Sequence, residues 1–596
     1  MHRPLRSVEM LRTAKKTLWL WLIITLAAPL ILFTAAAQAL SSATAIQPQG
    51  LNYAGIYALR QAAPDLTGAG IKFAIISRSI TYIDGQPQND YQPNIAHSCL
   101  RTAQLSFHNQ LLQTPGISPH STAICSILFG DDPAAFNPDL GQFYYQGAAP
   151  AAKADVYEFW HFLINNVFPH LPPDADIISA SFGTQFEDWW TRGIESLAEH
   201  YGLIVVASIG NGSNAYDPPL YPGAAANIIG VGVVNSVNTE DLATTLAHFA
   251  LAYPEYSSSG PTGNGRCKPD IVAAGNCLAA SATDPKRYEP TGNWSSFSTP
   301  VVAGAAGLLV QKAKQNPDLK TAISPIGGNC VIKAILLSSA TKLSFWHKGR
   351  LTKDDDHFAP LDYVQGAGML NALGAYRLLI SGQNKPGNVR PTGWDNNLLD
   401  KNQTPDNVYR ITLAEPADKI ITITLDWNKH YNTTYPFEPR ADLDDNLRLE
   451  LWAINQNDPN NGYLLDYSDS PLDNVEHIYC RTDPNYTEYE IVITFSNADN
   501  QSQSAPAQRY GLAWNVGSSQ QNDSILWYDL NTDGLVNEQD FAILIKNLAN
   551  SQQSPESYTF GDINADGAID ANDAQILVSH TNTKADWRIQ QESNLQ

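Results

Sequence analysis

The chain has 596 residues, 43% apolar and 16% charged, a composition of globular domains rather than disordered chain, and it is too long for one ordinary domain. Its formal charge of -22 removes the electrostatic basis for binding nucleic acid or an anionic membrane surface, and suits an extracellular protein. Six cysteines (Cys99, Cys125, Cys267, Cys277, Cys330, Cys480) match no zinc spacing. Cys267 and Cys277 are close enough in sequence to bridge, whereas Cys125 sits in an apolar helical stretch that suits a buried free thiol.

The first 39 residues read as a signal peptide. Arg3, Arg6, Arg12, Lys15 and Lys16 precede an apolar stretch from Leu18 to Ala37, and Ala37-Gln38-Ala39 is a small-x-small cleavage site. Export is the expectation; an uncleaved anchor is the alternative that the same stretch allows. Residues 40–67 form a short N-terminal segment in which Gly55 to Arg60 predicts a helical turn or two.

Thr67 to Gly70 is a turn, and Ile71-Lys-Phe-Ala-Ile-Ile76 is a buried strand by its β-branched run, with Ser77 at its end. His120-Ser-Thr122 opens an apolar helix, Ala123 to Phe129. Strands follow at Ala154 to Phe159, Asp176 to Ser181, Leu203 to Ala207 and Asn227 to Val234, with a helix at Thr191 to Tyr201. Nearly all-apolar strands alternating with helices predict an α/β domain, a parallel sheet with helices on both faces. The site of such a sheet lies beyond the carboxyl ends of its strands, where Ser77, Ser181 and Asn211 fall. Gly292 to Leu309 then joins a serine-rich turn to a helix of small residues, with Pro300 in an early turn, as its fixed φ favours. A serine ahead of such a helix sits at the positive end of the helix dipole.

In order, Phe73-Ala-Ile-Ile-Ser77, His120-Ser-Thr122, Gly147-Ala-Ala-Pro150, Ser181-Phe-Gly183, Gly210-Asn-Gly212 and Ser296-Phe-Ser-Thr-Pro300 resemble the motifs of the subtilisin family of serine proteases. Ser257 to Pro261, Lys268 to Ile271 and Gln365 to Gly368 add to the resemblance, which covers a peptidase domain over 68–380. It implies Ser296 as nucleophile, His120 as general base, and Asn211 as oxyanion donor beside the Ser296 backbone N–H. It also implies two segments bordering the substrate, Ser181, Phe182 and Gly183 on one side and Ser208, Ile209 and Gly210 on the other.

Three positions depart from the family pattern. The aspartate that ends the first strand is Ser77, the glycine after the histidine is Ser121, and the glycine two before the nucleophile is Trp294. Asp84 and Asp90 follow Ser77 at loop distance. A serine hydroxyl at 77 can accept the Nδ1–H bond of His120 but cannot offset an imidazolium. In this family the aspartate is worth roughly 10⁴ in turnover and the serine or histidine roughly 10⁶. The stretch from Leu40 to Ile71 is too short for the folded inhibitory propeptide that many relatives carry.

Ser381 to Thr404, rich in Gly, Pro, Asn and Asp, predicts a linker. Alternating runs over 405–517, such as Ile420 to Trp427 and Tyr489 to Phe495, predict an antiparallel β-sandwich, similar to the modules that follow many bacterial subtilisin relatives. Its expected role is to brace the peptidase.

Residues 525–580 carry a duplication, followed by a tail at 581–596. Asp529, Asn531, Asp533 and Gly534 with Asp540 recur 33 residues later as Asp562, Asn564, Asp566 and Gly567 with Asp573, each set followed by an apolar helix. Oxygen ligands at loop positions 1, 3, 5 and 12 with glycine at 6 are what Ca²⁺ requires, so two ions are expected. Aspartate at position 12 and no helix ahead of the loop resemble the type I dockerin, whose partner is a cohesin domain. The expected molecule is an exported serine endopeptidase. Its rival is a weak or inactive subtilisin fold that binds or scaffolds, tethered by its dockerin-like module.

Overall fold

The computed structural model describes residues 46–583 apart from 79–81, 84–85, 88, 110–114, 139–140, 213–217, 235–256, 276, 293, 344–345, 350–356, 416–418, 444, 456–457, 497–506, 519–534 and 549–570. The predicted signal peptide and Asp84 lie outside the described residues.

The first unit is built on a parallel sheet. Its strands are β1 (Lys72–Ser77), β2 (Gln104–His108), β3 (Lys153–Glu158), β4 (Ile177–Ala180), β5 (Ile204–Ser208), β6 (Ile229–Val234) and β7 (Ile271–Ala274). They lie in the order β7-β6-β5-β4-β1-β3-β2, with every described pairing parallel. Side chains alternate across the sheet. From β1, Phe73 and Ile75 enter one core together with the helices α2 (Pro119–Phe129) and α4 (Ser295–Gln315), while Ala74 and Ile76 enter the other with α3 (Trp189–Tyr201). Within the N-terminal segment, α1 spans Ile56–Ala62, over the turns predicted there.

Small residues let α4 lie against the sheet. A Cβ on Gly304 would stand 2.3 Å from the Ala148 Cβ, and one on Gly307 would stand 2.6 Å from the Phe73 ring. Neither position has room for a methyl group, so the glycines set the depth of the helix that carries Ser296.

The second unit contains two sheets. One holds β8 (Gly387–Val389), β10 (Asp406–Thr412), β12 (Leu447–Asn455), β13 (Asp458–Ser468) and β15 (Glu488–Phe495), in the order β8-β10-β15-β12-β13. The other holds β9 (Thr392–Asp400), β11 (Lys419–Asp426), β14 (Val475–Arg481) and β16 (Ala507–Ser518), in the order β9-β16-β11-β14. All pairings are antiparallel except β8 with β10. Tyr409, Ile423, Leu449, Ile491 and Trp514 meet in one core between the two sheets. The expected linker at 381–404 is corrected here, because β8 and the whole of β9 lie inside it. Its Asp and Asn side chains are spent locally, Asp395 accepting from Gln383 and Tyr409.

This second unit is fused to the first. Helix α5 (Gly328–Ser338) packs against β16 and β11 so closely that a Cβ on Gly511 would meet the backbone of Cys330 and Val331 at 2.5 Å. Lys333 reaches Asp426 of β11 at 2.9 Å and Asp270 of the first unit at 3.3 Å. Glu199 accepts from the Tyr431 backbone N–H at 2.9 Å and lies 2.6 Å from His430 Nδ1. The boundary is a buried interface crossed by ion pairs and hydrogen bonds, and not a tether.

All six cysteines are free, so the bridge that the spacing of Cys267 and Cys277 allows is not made, and Cys125 is a buried free thiol. Among the described residues no single helix is long and apolar enough to cross a membrane. Helices α6 (Glu538–Leu548) and α7 (Ala571–Ser579) follow the two acidic loops.

Candidate active site

The site residues gather where β1, β4 and β5 end and where α2 and α4 begin. Ser296 is the second residue of α4, 8% exposed, with its Oγ 3.5 Å from the Ser181 carbonyl; the Ser181 hydroxyl donates to the Ser296 carbonyl at 2.8 Å. Trp294, the residue before the helix, is 53% exposed, so its added bulk stands in solvent rather than in the core.

Asn211 follows β5 and is held from the neighbouring helix start. Its Oδ1 accepts from both the backbone N–H and the hydroxyl of Ser295, each at 2.8 Å. A backbone N–H can only donate, which assigns the amide orientation and leaves the Nδ2 hydrogens uncommitted to that contact. Sequence reasoning missed Ser295; the one clue was its place in a serine-rich turn. Gly210 has φ +115°, and a Cβ there would meet the Ser258 hydroxyl at 2.3 Å, so a side chain is excluded on two counts.

The two predicted substrate-bordering segments do face each other. The hydroxyl of Ser208 donates to the Phe182 carbonyl at 3.4 Å, and Thr184 pairs with Tyr221 in an antiparallel bridge. Gly183 packs on Leu220, where a Cβ would stand 2.6 Å from the leucine Cβ. Leu220 in turn donates its N–H to the carbonyl of buried Ile209 at 2.7 Å. Phe182 is braced by Phe159 and Trp190, with ring centroids 5.1 and 6.0 Å away.

His120 is carried further into its helix than expected, because α2 begins at Pro119 and not at Ala123. Proline suits the first helical position, and Ser118 caps the helix by accepting from the Ser121 N–H at 3.2 Å. The imidazole lies 5.7 Å from the Phe297 ring, and burial alone pulls its pKa down to about 4. No hydrogen bond joins His120 to Ser296 or to Ser77. The expectation that Ser77 accepts from His120 is corrected: the Ser77 hydroxyl is hydrogen-bonded to that of Ser121. Asp90 lies in a short strand paired with Gly116, ahead of α2. Glu158, the register partner of Ser77 on β3, turns its carboxylate to the backbone N–H of His161 at 2.9 Å.

Of the predicted calcium ligands, Asp540 and Asp573 are described. Both are fully buried in the first turns of α6 and α7, and Asp540 accepts from the Asn537 N–H at 2.8 Å. Carboxylates with no exposed surface at loop position 12 fit a bound cation. Asp529, Asn531, Asp533, Asp562, Asn564 and Asp566 lie outside the described residues. Among the described residues no three His, Cys, Asp or Glu side chains gather as a metal site.

The subtilase family model matches residues 117–369, and that of the type I dockerin domain matches residues 527–581. Serine protease AprX of Bacillus subtilis (strain 168) is 28% identical over 292 residues, 43% of this chain and 59% of AprX. Pyrolysin of Pyrococcus furiosus is 28% identical over 242 residues, 36% of this chain and 16% of pyrolysin. The chain thus spans less than two thirds of the length of either. Two solved structures, the self-cleaved protease domain of PatA and the patellamide maturation protease PatA, are 22% and 23% identical, each with a TM-score of 0.35. Each alignment covers 53% of this chain, with 99% and 98% of those chains respectively. On the family matches, the chain carries a subtilase domain and, behind it, a type I dockerin domain.

Proposed function

We propose that the chain is an exported serine endopeptidase that cleaves extended peptide segments through an acyl-enzyme on Ser296. The observation that carries the reading is the clamp of Ser295 on Asn211, which brings an amide donor to the helix start that holds the nucleophile. In the first step the Ser296 Oγ attacks the scissile carbonyl and His120 takes the hydroxyl proton. The oxyanion accepts hydrogen bonds from Asn211 Nδ2 and the Ser296 N–H, and His120 then returns the proton to the leaving amine. Water hydrolyses the ester by the same exchanges in reverse. The backbone of 181–183 pairs with the substrate, and 208–210, whose own backbone groups are engaged within the protein, borders it on the other side. A neutral imidazole is the form the first step needs, and the burial of His120 favours it.

In the same reading the dockerin domain holds two Ca²⁺ ions, with Asp540 and Asp573 as the position-12 ligands, and docks the enzyme on a cohesin-bearing protein. The two-sheet unit braces the peptidase from behind α5. A fluorophosphonate probe tests the catalytic claim directly. Labelling of the mature chain that disappears in Ser296→Ala supports it. A folded chain that does not label would instead be a subtilase fold that holds peptide without cutting it.

A further inference from the structure

We propose that Ser77 and Ser121 act as one unit, a hydroxyl pair that fills the place of the triad carboxylate and positions His120 through the backbone of α2, with Ser121 as a positioning residue. The proposal deepens the peptidase reading and rests on it.

Two of the three departures from the family pattern touch each other. Ser77 closes β1 and Ser121 is the third residue of α2, next to His120, and their hydroxyls form a hydrogen bond between side chains that are 4% and 0% exposed. The same turn is pinned by three more hydrogen bonds. Ser118 accepts from the Ser121 N–H, and the Thr122 hydroxyl donates to the Ser118 carbonyl at 2.7 Å while accepting from the Asn94 N–H at 2.9 Å. His120 sits inside this framework with no hydrogen bond to its own ring from a described residue. The carboxylate of a triad does two things: it orients the imidazole and it offsets the charge formed there. A neutral hydroxyl pair can supply only the first, and here it does so by tying the helix start to the strand end. On the neighbouring strand, the Glu158 carboxylate is turned to the His161 N–H and makes no hydrogen bond to His120.

The pair also explains why one substitution should not restore a triad. Asp carries a carbon and two oxygens where Ser77 carries one oxygen, and that oxygen already touches Ser121 in a site without exposed surface. Overfilling a packed site forces neighbouring groups aside. Glycine at 121, the family residue, opens the missing space.

The test compares Ser77→Asp, Ser121→Gly, Ser77→Asp/Ser121→Gly, Ser77→Ala, Ser121→Ala and Ser77→Ala/Ser121→Ala in the full chain, each checked for its melting transition. The expected result is a labelling rate by fluorophosphonate at pH 7 that rises at least tenfold in Ser77→Asp/Ser121→Gly and less than threefold in Ser77→Asp. The two alanine variants should each lower the rate, and their combination should be no slower than the slower single. Equal gains from Ser77→Asp with and without Ser121→Gly, or alanine effects that multiply, would overturn the coupling. The titration of His120, read by NMR on histidine-labelled chain and assigned with His120→Gln, separates this from failure of the peptidase reading. Even in a chain that never labels, the midpoint should move up by at least a pH unit more in Ser77→Asp/Ser121→Gly than in Ser77→Asp. Equal midpoints would refute the proposal.

Discussion

Replacing Lys333 by methionine should destabilise both units at once. The Lys333 ammonium is 2.9 Å from Asp426 and 3.3 Å from Asp270, and the three side chains are no more than 4% exposed. With Lys268, also paired to Asp270, they make a neutral cluster of two cations and two anions. Burial works against the Lys333 charge, but Asp270 and Asp426 overcome it and raise its pKa. Burial also lifts Asp426 to about 6, against the pull of Lys333. Methionine keeps most of the volume and removes the charge. Asp270 retains Lys268 and the Gly230 N–H, so the group left without a counter-charge is Asp426. Orphaning one partner of a buried pair costs about 3–5 kcal/mol, whereas replacing both by apolar groups is close to neutral.

The pH dependence has a definite sign. A carboxylate whose folded pKa is raised binds more protons folded than unfolded, so its stability contribution falls as pH rises through that window. The deficit of Lys333→Met should therefore be larger at pH 8 than at pH 5. Urea unfolding of the full chain, followed by tryptophan fluorescence at both pH values, measures it. Lys333→Met/Asp426→Leu should recover most of the loss, and the peptidase and two-sheet units should unfold in one transition. A single variant within about 1 kcal/mol of the parent at pH 8, below the range for an orphaned buried charge, or a double variant no better than the single, would refute the reasoning.

Two further outcomes follow from the structure. Because burial holds His120 neutral down to about pH 4, kcat/KM of the parent should stay level from pH 7 to near 5 and halve only near 4, the free-enzyme value that this ratio reports; halving near the ordinary imidazole value would contradict the burial. Chelating calcium with EDTA should remove hydrogen-exchange protection from α6 and α7 while leaving the sheet of the subtilase domain unchanged; identical exchange with and without EDTA would mean that Asp540 and Asp573 are buried for another reason.

The parallel sheet was legible because β-branched runs such as Phe73 to Ile76 are apolar on both faces, which only a doubly covered sheet explains. Ser296, His120 and Asn211 were legible for a different reason, as an ordered set of short motifs. What stayed hidden was lateral. Nothing in the composition of Ser381 to Thr404 distinguishes a linker from edge strands whose Asn and Asp side chains are engaged at home, as Asp395 is. The partner of Ser77 was equally hidden, because contact between residues 77 and 121 is made by the crossing of a strand end and a helix start. The start of α2 lies four residues ahead of the expected Ala123, because the fixed φ of Pro119 suits a first helical turn.

The fusion at α5 sets an order of assembly. Two strands pack on α5: β16, the last described strand of its sheet in chain order, and its neighbour β11, which brings Asp426. A chain made from its N-terminus therefore presents His120, Asp270 and Ser296 long before Asp426, the second partner of Lys333, and the strand that closes the back of α5 exist. The candidate site residues of the subtilase unit are all made early, yet its scaffold is finished only once about two hundred more residues have emerged, as domains complete in the order of synthesis. Timing of this kind is written into strand order.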